Sequence, residues 1–198
     1  TYTLDQDYTY VKFSIDDGNV GMVFECGVAQ TITFANPGDQ ELPTGTVSLT
    51  ATSDSGLTVS LASSTTSVCT VSGTTLTLKT EGTCTITASQ AGSGDYLAAD
   101  DVARSFTVSK SSQTITFANP GEQELDTGSI SLSATSSSGL TVSFAASGSC
   151  SVSGVTLSLD GLGTCTVTAS QSGDSEYAAA SDVDESFEIV AAPAGGGG

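Results

Sequence analysis

One long tract of the sequence occurs twice. Residues 30–60 read QTITFANPGDQELPTGTVSLTATSDSGLTVS, and residues 113–143 read QTITFANPGEQELDTGSISLSATSSSGLTVS. A repeat of this length predicts two copies of one folding unit, one after the other in the chain. Because the whole chain has 198 residues, each copy can form only a small domain. We divide the chain into an N-terminal segment, two domains and a glycine-rich tail: 1–29, 30–110, 111–192 and 193–198.

Apolar and polar residues alternate within both copies. Clear examples in the first copy are residues 46–52, 75–78 and 84–88, which are rich in Thr, Val, Leu and Ile. This period of two is typical of strands that bury one face. Turn signals such as the Asn-Pro-Gly at 36–38 separate the runs at roughly ten-residue intervals. The pattern predicts an all-β fold of two tandem immunoglobulin-like β-sandwiches.

Four of the five cysteines are placed alike in the two copies. The interval from Cys69 to Cys84 equals the interval from Cys150 to Cys165. Duplicated placement favours one disulfide within each copy, with two buried free thiols as the alternative. Closing a loop of about 15 residues is worth roughly 3 kcal/mol in the chain-entropy model. Since disulfides persist in oxidising compartments, we expect an extracellular protein at the cell surface.

The predicted disulfides also limit the path of the chain. A flat meander would place the two cysteines of one copy two strands apart, about 9.5 Å. A disulfide requires Cα atoms within about 7 Å. We therefore expect the chain to cross between sheets after the strand at 75–78, or one cysteine to lie at a strand end. Tyr96 and Tyr177 follow the second cysteine of each copy at one spacing, and we interpret both as core anchors.

The first 29 residues have a different character. Around a turn at 16–19, apolar residues alternate with polar or small ones, which predicts a hairpin with one apolar face. An isolated hairpin is marginal in water, so it needs a sheet from the first domain, a preceding domain or a neighbouring subunit. Cys26 is the odd cysteine, and it either pairs between molecules or is a buried free thiol. The predicted assembly residues are Val11, Phe13, Ile15, Met22, Phe24 and Cys26.

The charge balance excludes several kinds of partner. With 22 acidic and 4 basic residues the net charge is -18, which opposes nucleic-acid binding.

The sequence has no His and no Cys-x-x-Cys pair, so a zinc site lacks ligands. We expect no cofactor, with calcium at the acidic residues 16–19 or at Asp100 and Asp101 as the alternative. No apolar stretch is long enough for a membrane-spanning segment.

The repeated elements carry a family resemblance. QTITF followed by a Pro-Gly turn, and then SGL-V, C-VSG, GTCT-TASQ and Y-AA, occur in both copies. Together they resemble the tandem immunoglobulin-like repeats of large bacterial cell-surface proteins, over residues 30–108 and 113–189. The resemblance implies a stalk or adhesin segment built of β-sandwiches, generally without enzymatic activity. Residues 1–29 lie outside it.

Two function classes follow from these features. The first is a structural protein, either a stalk or the subunit of a filament in which the N-terminal hairpin adds strands to a neighbour's sheet. Its partners would be copies of itself or further domains of the same surface protein. The second is an adhesin module that binds a glycan or a protein ligand. An enzyme is disfavoured, because no His is present to act as a base for a Ser or Cys nucleophile.

Overall fold

The computed structural model describes residues 10–16, 19–43 and 45–193, and for residues 10–26 it describes the backbone alone. Nearly every regular element is a β-strand, and one 3-10 turn occupies Leu125–Thr127. The predicted all-β fold is confirmed. The chain divides into two compact units, residues 1–109 and 110–198, and each unit is considered by itself below.

The first unit begins with an antiparallel hairpin. Its strands are β1 (Tyr10–Asp16) and β2 (Asn19–Gly27). The register places the backbone of Val11 opposite Cys26 and that of Phe13 opposite Phe24, with an irregularity between Ser14 and Asp16. Among the described strands, β1 and β2 form a two-stranded sheet with no third member.

The first sandwich follows the hairpin. Its strands are β3 (Ile32–Phe34), β4 (Gln40–Leu42), β5 (Thr46–Ser48), β6 (Ala51–Ser53), β7 (Ser60–Ser63), β8 (Cys69–Ser72), β9 (Thr75–Leu78), β10 (Gly82–Ser89) and β11 (Val102–Lys110). One layer has the order β4-β11-β10-β7, and the other combines β5-β9-β8 with the pair β3-β6. This division of strands is that of the immunoglobulin sandwich.

The second sandwich repeats this layout. Its strands are β12 (Ile115–Phe117), β13 (Gln123–Glu124), β14 (Ser129–Ser131), β15 (Ala134–Ser136), β16 (Ser143–Gly148), β17 (Cys150–Ser153), β18 (Thr156–Leu159), β19 (Gly163–Ser170) and β20 (Val183–Val190). The sheet orders are β13-β20-β19-β16, β14-β18-β17 and β12-β15, strand for strand those of the first sandwich.

Alternation along the central strands produces both cores. On β10, Cys84, Ile86 and Ala88 are fully buried, whereas the intervening threonines are partly exposed. On β19 the corresponding buried residues are Cys165, Val167 and Ala169. Full burial of a side chain the size of Ile or Val contributes about 1.5–3 kcal/mol relative to exposure. The apolar face of each strand thus points between the layers, as the period of two predicts.

A disulfide joins the two layers of each sandwich. Cys69 begins β8 in one layer and Cys84 lies on β10 in the other, with Cα atoms 5.8 Å apart. Cys150 and Cys165 are bonded in the same way, with Cα atoms 5.5 Å apart. The chain crosses between layers after β9 and again after β18, so the two cysteines of a sandwich face each other across its core. A flat meander would have kept them apart.

Each sandwich is entered two residues before the glutamine that opens its repeated tract. The backbone N–H of Val28 donates to the carbonyl of Asp95 at 2.8 Å, and that of Leu97 donates to the carbonyl of Val28 at 3.0 Å. In the second unit Ser111 forms the same parallel bridge next to Tyr177. Tyr96 and Tyr177 are half-buried and lie outside the buried cores. Their interpretation as core anchors is wrong, because neither tyrosine belongs to a buried core. The incoming chain is held by the backbone of the residues on either side of each tyrosine.

Candidate assembly site

Gln30 is buried and anchors the chain directly after the hairpin. Its Nε2 donates to Oε1 of Gln90 at 2.7 Å and to the carbonyl of Leu97 at 2.6 Å. Its Oε1 accepts from the hydroxyl of Ser53 at 2.7 Å and from that of Ser55 at 2.5 Å. All four hydrogen-bonding positions of the side-chain amide are therefore used. The network holds three separate chain segments at one point.

Gln113 forms the same network in the second unit. Its Nε2 donates to Oε1 of Gln171 and to the carbonyl of Ala178, both at 2.7 Å. Its Oε1 accepts from Ser136 at 2.7 Å and Ser138 at 2.5 Å. Gln30 and Gln113 are the buried polar residues of the part of the chain that the structure describes. Sequence reasoning missed them, although a glutamine opens the repeated tract in both copies.

The hairpin leaves the first sandwich at this anchored point. A Cβ atom added to Gly27 would lie 3.0 Å from the backbone nitrogen of Leu97, so the chain passes close to the 90–97 loop. The backbone of Val28 then pairs with that of Asp95 and Leu97, and the side chain of Gln30 is buried. The chain is thus held against the 90–97 loop directly after the end of β2.

The predicted assembly residues all lie on β1 and β2. Val11, Phe13 and Ile15 are on β1, and Met22, Phe24 and Cys26 are on β2. The backbone register brings two of these pairs opposite each other. The side chains of these six residues lie outside the described part of the structure. What the backbone provides is a two-stranded sheet whose outer edges have no partner strand among the described residues.

Exposed carboxylates brace loops in both units. Oδ1 and Oδ2 of Asp54 accept from the backbone N–H and the hydroxyl of Thr31 at 3.0 and 2.8 Å. These bonds, the backbone N–H first, lower the pKa of the Asp54 carboxyl. Asp174 accepts from the N–H groups of Glu176 and Tyr177, and these bonds lower its pKa. Both acids act as structural acceptors and are held in the charged form.

Hydroxyl groups line the outer faces of the four-stranded sheets. Thr85 on β10 and Ser105 on β11 share a hydrogen bond of 2.8 Å, as do Thr166 and Ser186 in the second unit. In the second unit Thr168 also donates to a carboxylate oxygen of Asp184 at 2.6 Å. These cross-strand pairs stabilise the sheets.

Neither a metal-binding cluster nor a membrane-spanning helix occurs among the described residues. Within them no group of three His, Cys, Asp or Glu side chains is placed to hold a metal ion. Asp100 and Asp101 are exposed, and Asp17 lies outside the described residues. Across the same residues, no helix has the length and apolar character needed to cross a membrane.

Comparisons with known proteins add little to this site. No protein-family model matches the chain, and no curated protein matches its sequence. The chain is similar to the D00–D0 domain of intimin, at 19% identity over 79% of this chain and 98% of that one, with a TM-score of 0.31. It is similar to EC1–2 of human mucin-like protocadherin, at 12% identity over 82% and 98%, with a TM-score of 0.35.

A third similar structure is Drosophila N-cadherin EC1–4. The identity is 12%, over 81% of this chain and 50% of that one, with a TM-score of 0.31. The chain thus spans half the length of that structure. Identities and TM-scores this low carry no argument about function, so the functional case rests on the residues of this chain.

Proposed function

We propose that the chain is a non-catalytic extracellular structural protein, a subunit of a bacterial surface filament or stalk. Its subunits join when the N-terminal hairpin of one adds strands to a sheet of the next. The observation that carries this proposal is the two-stranded sheet of β1 and β2, which has no third strand among the described residues. Unpaired sheet edges are templates for pairing with another chain.

Two further features support the structural role. Each sandwich is closed by a disulfide between its layers, which favours an oxidising compartment outside the cell. Within the described residues, every buried side-chain nitrogen or oxygen has a hydrogen-bond partner. Buried polar groups are therefore used for stability, and we assign no catalytic residue. The acidic surface, with a net charge of -18, keeps subunits soluble until a specific contact forms.

The test compares the full chain with a variant that starts at Gly27. Retaining Gly27 and Val28 preserves the backbone pairing of Val28 with Asp95 and Leu97, so the first sandwich keeps its entry point. We expect negative-stain electron microscopy to show filaments of the full chain and separate particles of the variant. Equal midpoints of thermal unfolding for the two proteins would show that the sandwich is intact.

The role of sulfur is tested separately. Cys26→Ser removes the odd cysteine and leaves the hairpin backbone unchanged. A reductant, in contrast, reduces all the disulfides at once. If the Cys26→Ser variant still forms filaments, strand addition holds the subunits together without a disulfide from Cys26. Separate two-domain particles of the full chain under every condition would contradict the filament proposal and favour an adhesin or stalk segment whose ligand is still to be found.

A further inference from the structure

A cavity of about 410 Å³ opens on the flank of the second sandwich. It lies beside β15 and the segment 139–142, where the chain passes from one layer to the other before β16. None of its lining residues is charged, although the chain has 22 acidic residues. The apolar part of the lining consists of Leu132, Ala134, Leu140, Val142, Phe144 and Val155. The size is within the usual range of small-ligand and side-chain pockets, about 300–1,000 Å³.

The cavity runs along an open backbone edge. On one side β15 pairs with β12, and the backbone N–H of Ser137 donates to the carbonyl of Thr114 at 2.9 Å. Hydrogen-bonding directions alternate along a strand, so the N–H and C=O of Ala134 point to the opposite side. No described strand pairs with β15 on that side.

The neighbouring strand stops short of this edge. β18 begins at Thr156 and pairs with β14, which ends at Ser131. The last bond on this side joins the N–H of Leu132 to the carbonyl of Val155 at 2.8 Å. The layer therefore has a gap where β18 does not continue beside β15. An extended peptide in the gap would pair with Ala134 and place alternate side chains in the cavity.

The rim of the cavity differs between the two units at Val155 and Phe144. Val155 is 53% exposed, and Phe144 packs near Phe117 with a distance of 5.4 Å between ring centroids. In the first unit the corresponding positions are Thr74 and Leu61. The backbone arrangement is the same there, because the N–H of Leu49 donates to the carbonyl of Thr74 at 2.8 Å. An exposed valine in place of a threonine makes this edge suited to an apolar strand.

We propose that the gap beside β15 is the acceptor site for β2 of a second copy of this chain. This inference rests on the proposed function and names its acceptor surface. β2 belongs to a two-stranded sheet with an unpaired edge, and β15 has an unpaired edge beside an apolar cavity. The two edges are therefore complementary in their backbone groups.

Charge also favours this occupant. The stretch from Val20 to Phe24 has no charged residue, and the cavity lining has none either. Two molecules that each carry a net charge of -18 repel each other, and a contact through uncharged surfaces adds no further repulsion between them. Contact between the N-terminal hairpin of one copy and the second sandwich of the next is heterologous, and such contacts generate open filaments.

The first experiment locates the occupant directly. The photoreactive variant Val155→p-benzoylphenylalanine, in the full chain, is prepared in light and heavy isotopic forms, mixed and irradiated. We expect mass spectrometry to find cross-links from position 155 to residues 19–27 of a different molecule. Cross-links to another segment, to the same molecule or to nothing, in a sample that contains filaments, would overturn the acceptor assignment.

The second experiment uses a matched pair of substitutions. Val155→Glu places a carboxylate at the rim, and Thr74→Glu places one at the corresponding position of the first unit. We expect Val155→Glu to raise the concentration needed for filament formation at least about tenfold, because the carboxylate must lose its hydration on docking. Thr74→Glu should leave that concentration within about twofold of the parent, because an exposed surface charge has little effect on packing.

Different results would refute the acceptor site beside β15 and the proposal of filaments built by strand addition. Filaments that form equally well with Val155→Glu would refute the acceptor site and leave strand addition standing. Absence of filaments from the parent chain would refute both. Thermal unfolding of the second unit in each variant shows whether the sandwich is intact, and the cross-linking result decides the assignment if Val155→Glu proves unstable.

Discussion

The side-chain nitrogen of Gln30 lies 2.7 Å from the side-chain oxygen of Gln90, which is 60 positions further along the chain. The contact joins the segment just before β3 to the loop that receives Val28. An additional donor, the N–H of Gly92, approaches the same oxygen of Gln90 at 2.5 Å. The duplicated pair Gln113 and Gln171 shows that this buried polar cluster is part of the repeated unit itself.

The first prediction concerns this cluster. Gln30→Leu keeps the approximate size of the side chain but removes the partner of the Leu97 carbonyl. It also removes one partner from each hydroxyl of Ser53 and Ser55, which otherwise bond to each other. One buried unsatisfied polar group costs about 1–3 kcal/mol, so we expect the first unit to lose at least that much free energy of unfolding. Urea unfolding, with hydrogen exchange measured separately for peptides of each unit, tests this. Gln113→Leu should weaken only the second unit, and equal loss in both would contradict the prediction.

The second prediction concerns the disulfides. Replacing both Cys69 and Cys84 with Ala should lower the stability of the first unit by roughly 3 kcal/mol, the entropy of a loop of about 15 residues, with a further cost for lost packing. The double replacement avoids a leftover thiol that could pair with Cys26. Differential scanning calorimetry should show one transition shifted and one unchanged. A shift of the second unit instead, or of neither, would contradict it.

The third prediction concerns acid stability. Hydrogen bonds from Thr31 lower the pKa of Asp54 below its value in the unfolded chain, about 3.9. The contribution of Asp54 to stability is therefore present above that pH and is lost as pH falls through the lower, folded-state pKa. The second unit has Ser137 at this place, and its hydroxyl accepts from the N–H of Thr114 at 3.0 Å.

Asp54→Ser should therefore make the first unit less sensitive to acid, because the replacement accepts a similar bond without a titrating group. The measurement is the thermal midpoint of each unit between about pH 5 and pH 2, the range in which a lowered carboxyl titrates. The reciprocal variant Ser137→Asp should give the second unit a new acid sensitivity. An unchanged pH profile for both variants would show that the Asp54–Thr31 contact does not matter for stability.

The fourth prediction concerns two glycines of the second unit. Gly173 and Gly154 both have positive φ, +74° and +61°. A Cβ on Gly173 would collide with the backbone of Tyr177 and Ala178, whereas a Cβ on Gly154 would meet nothing within 4 Å. Gly173→Ala should destabilise the unit by more than about 1 kcal/mol beyond Gly154→Ala, which carries only the backbone strain. Urea unfolding of the two variants measures the difference, and equal costs would exclude the steric contribution.

Sequence reasoning succeeded where a local pattern repeats. The alternation at Cys84, Ile86 and Ala88 predicts which face of β10 is buried, and the structure buries those three residues. It failed at Gln30, because glutamine is usually exposed and no local sequence pattern indicates its four hydrogen-bond partners. It also failed at Tyr96, which lies outside the buried core, while the backbone of its neighbours Asp95 and Leu97 bonds to Val28.

What the sequence alone determined is the duplicated unit, its β-structure, the acidic surface and the apolar alternation at residues 11–26. These are local or compositional properties, because periodicity depends on the order of neighbouring residues and net charge depends on composition. Only the tertiary structure decided that Gln30 is buried and that β18 ends before it can cover β15. Both depend on contacts between segments distant in sequence. The relative lengths of neighbouring strands, rather than any residue pattern, leave the edge of β15 open beside an uncharged cavity.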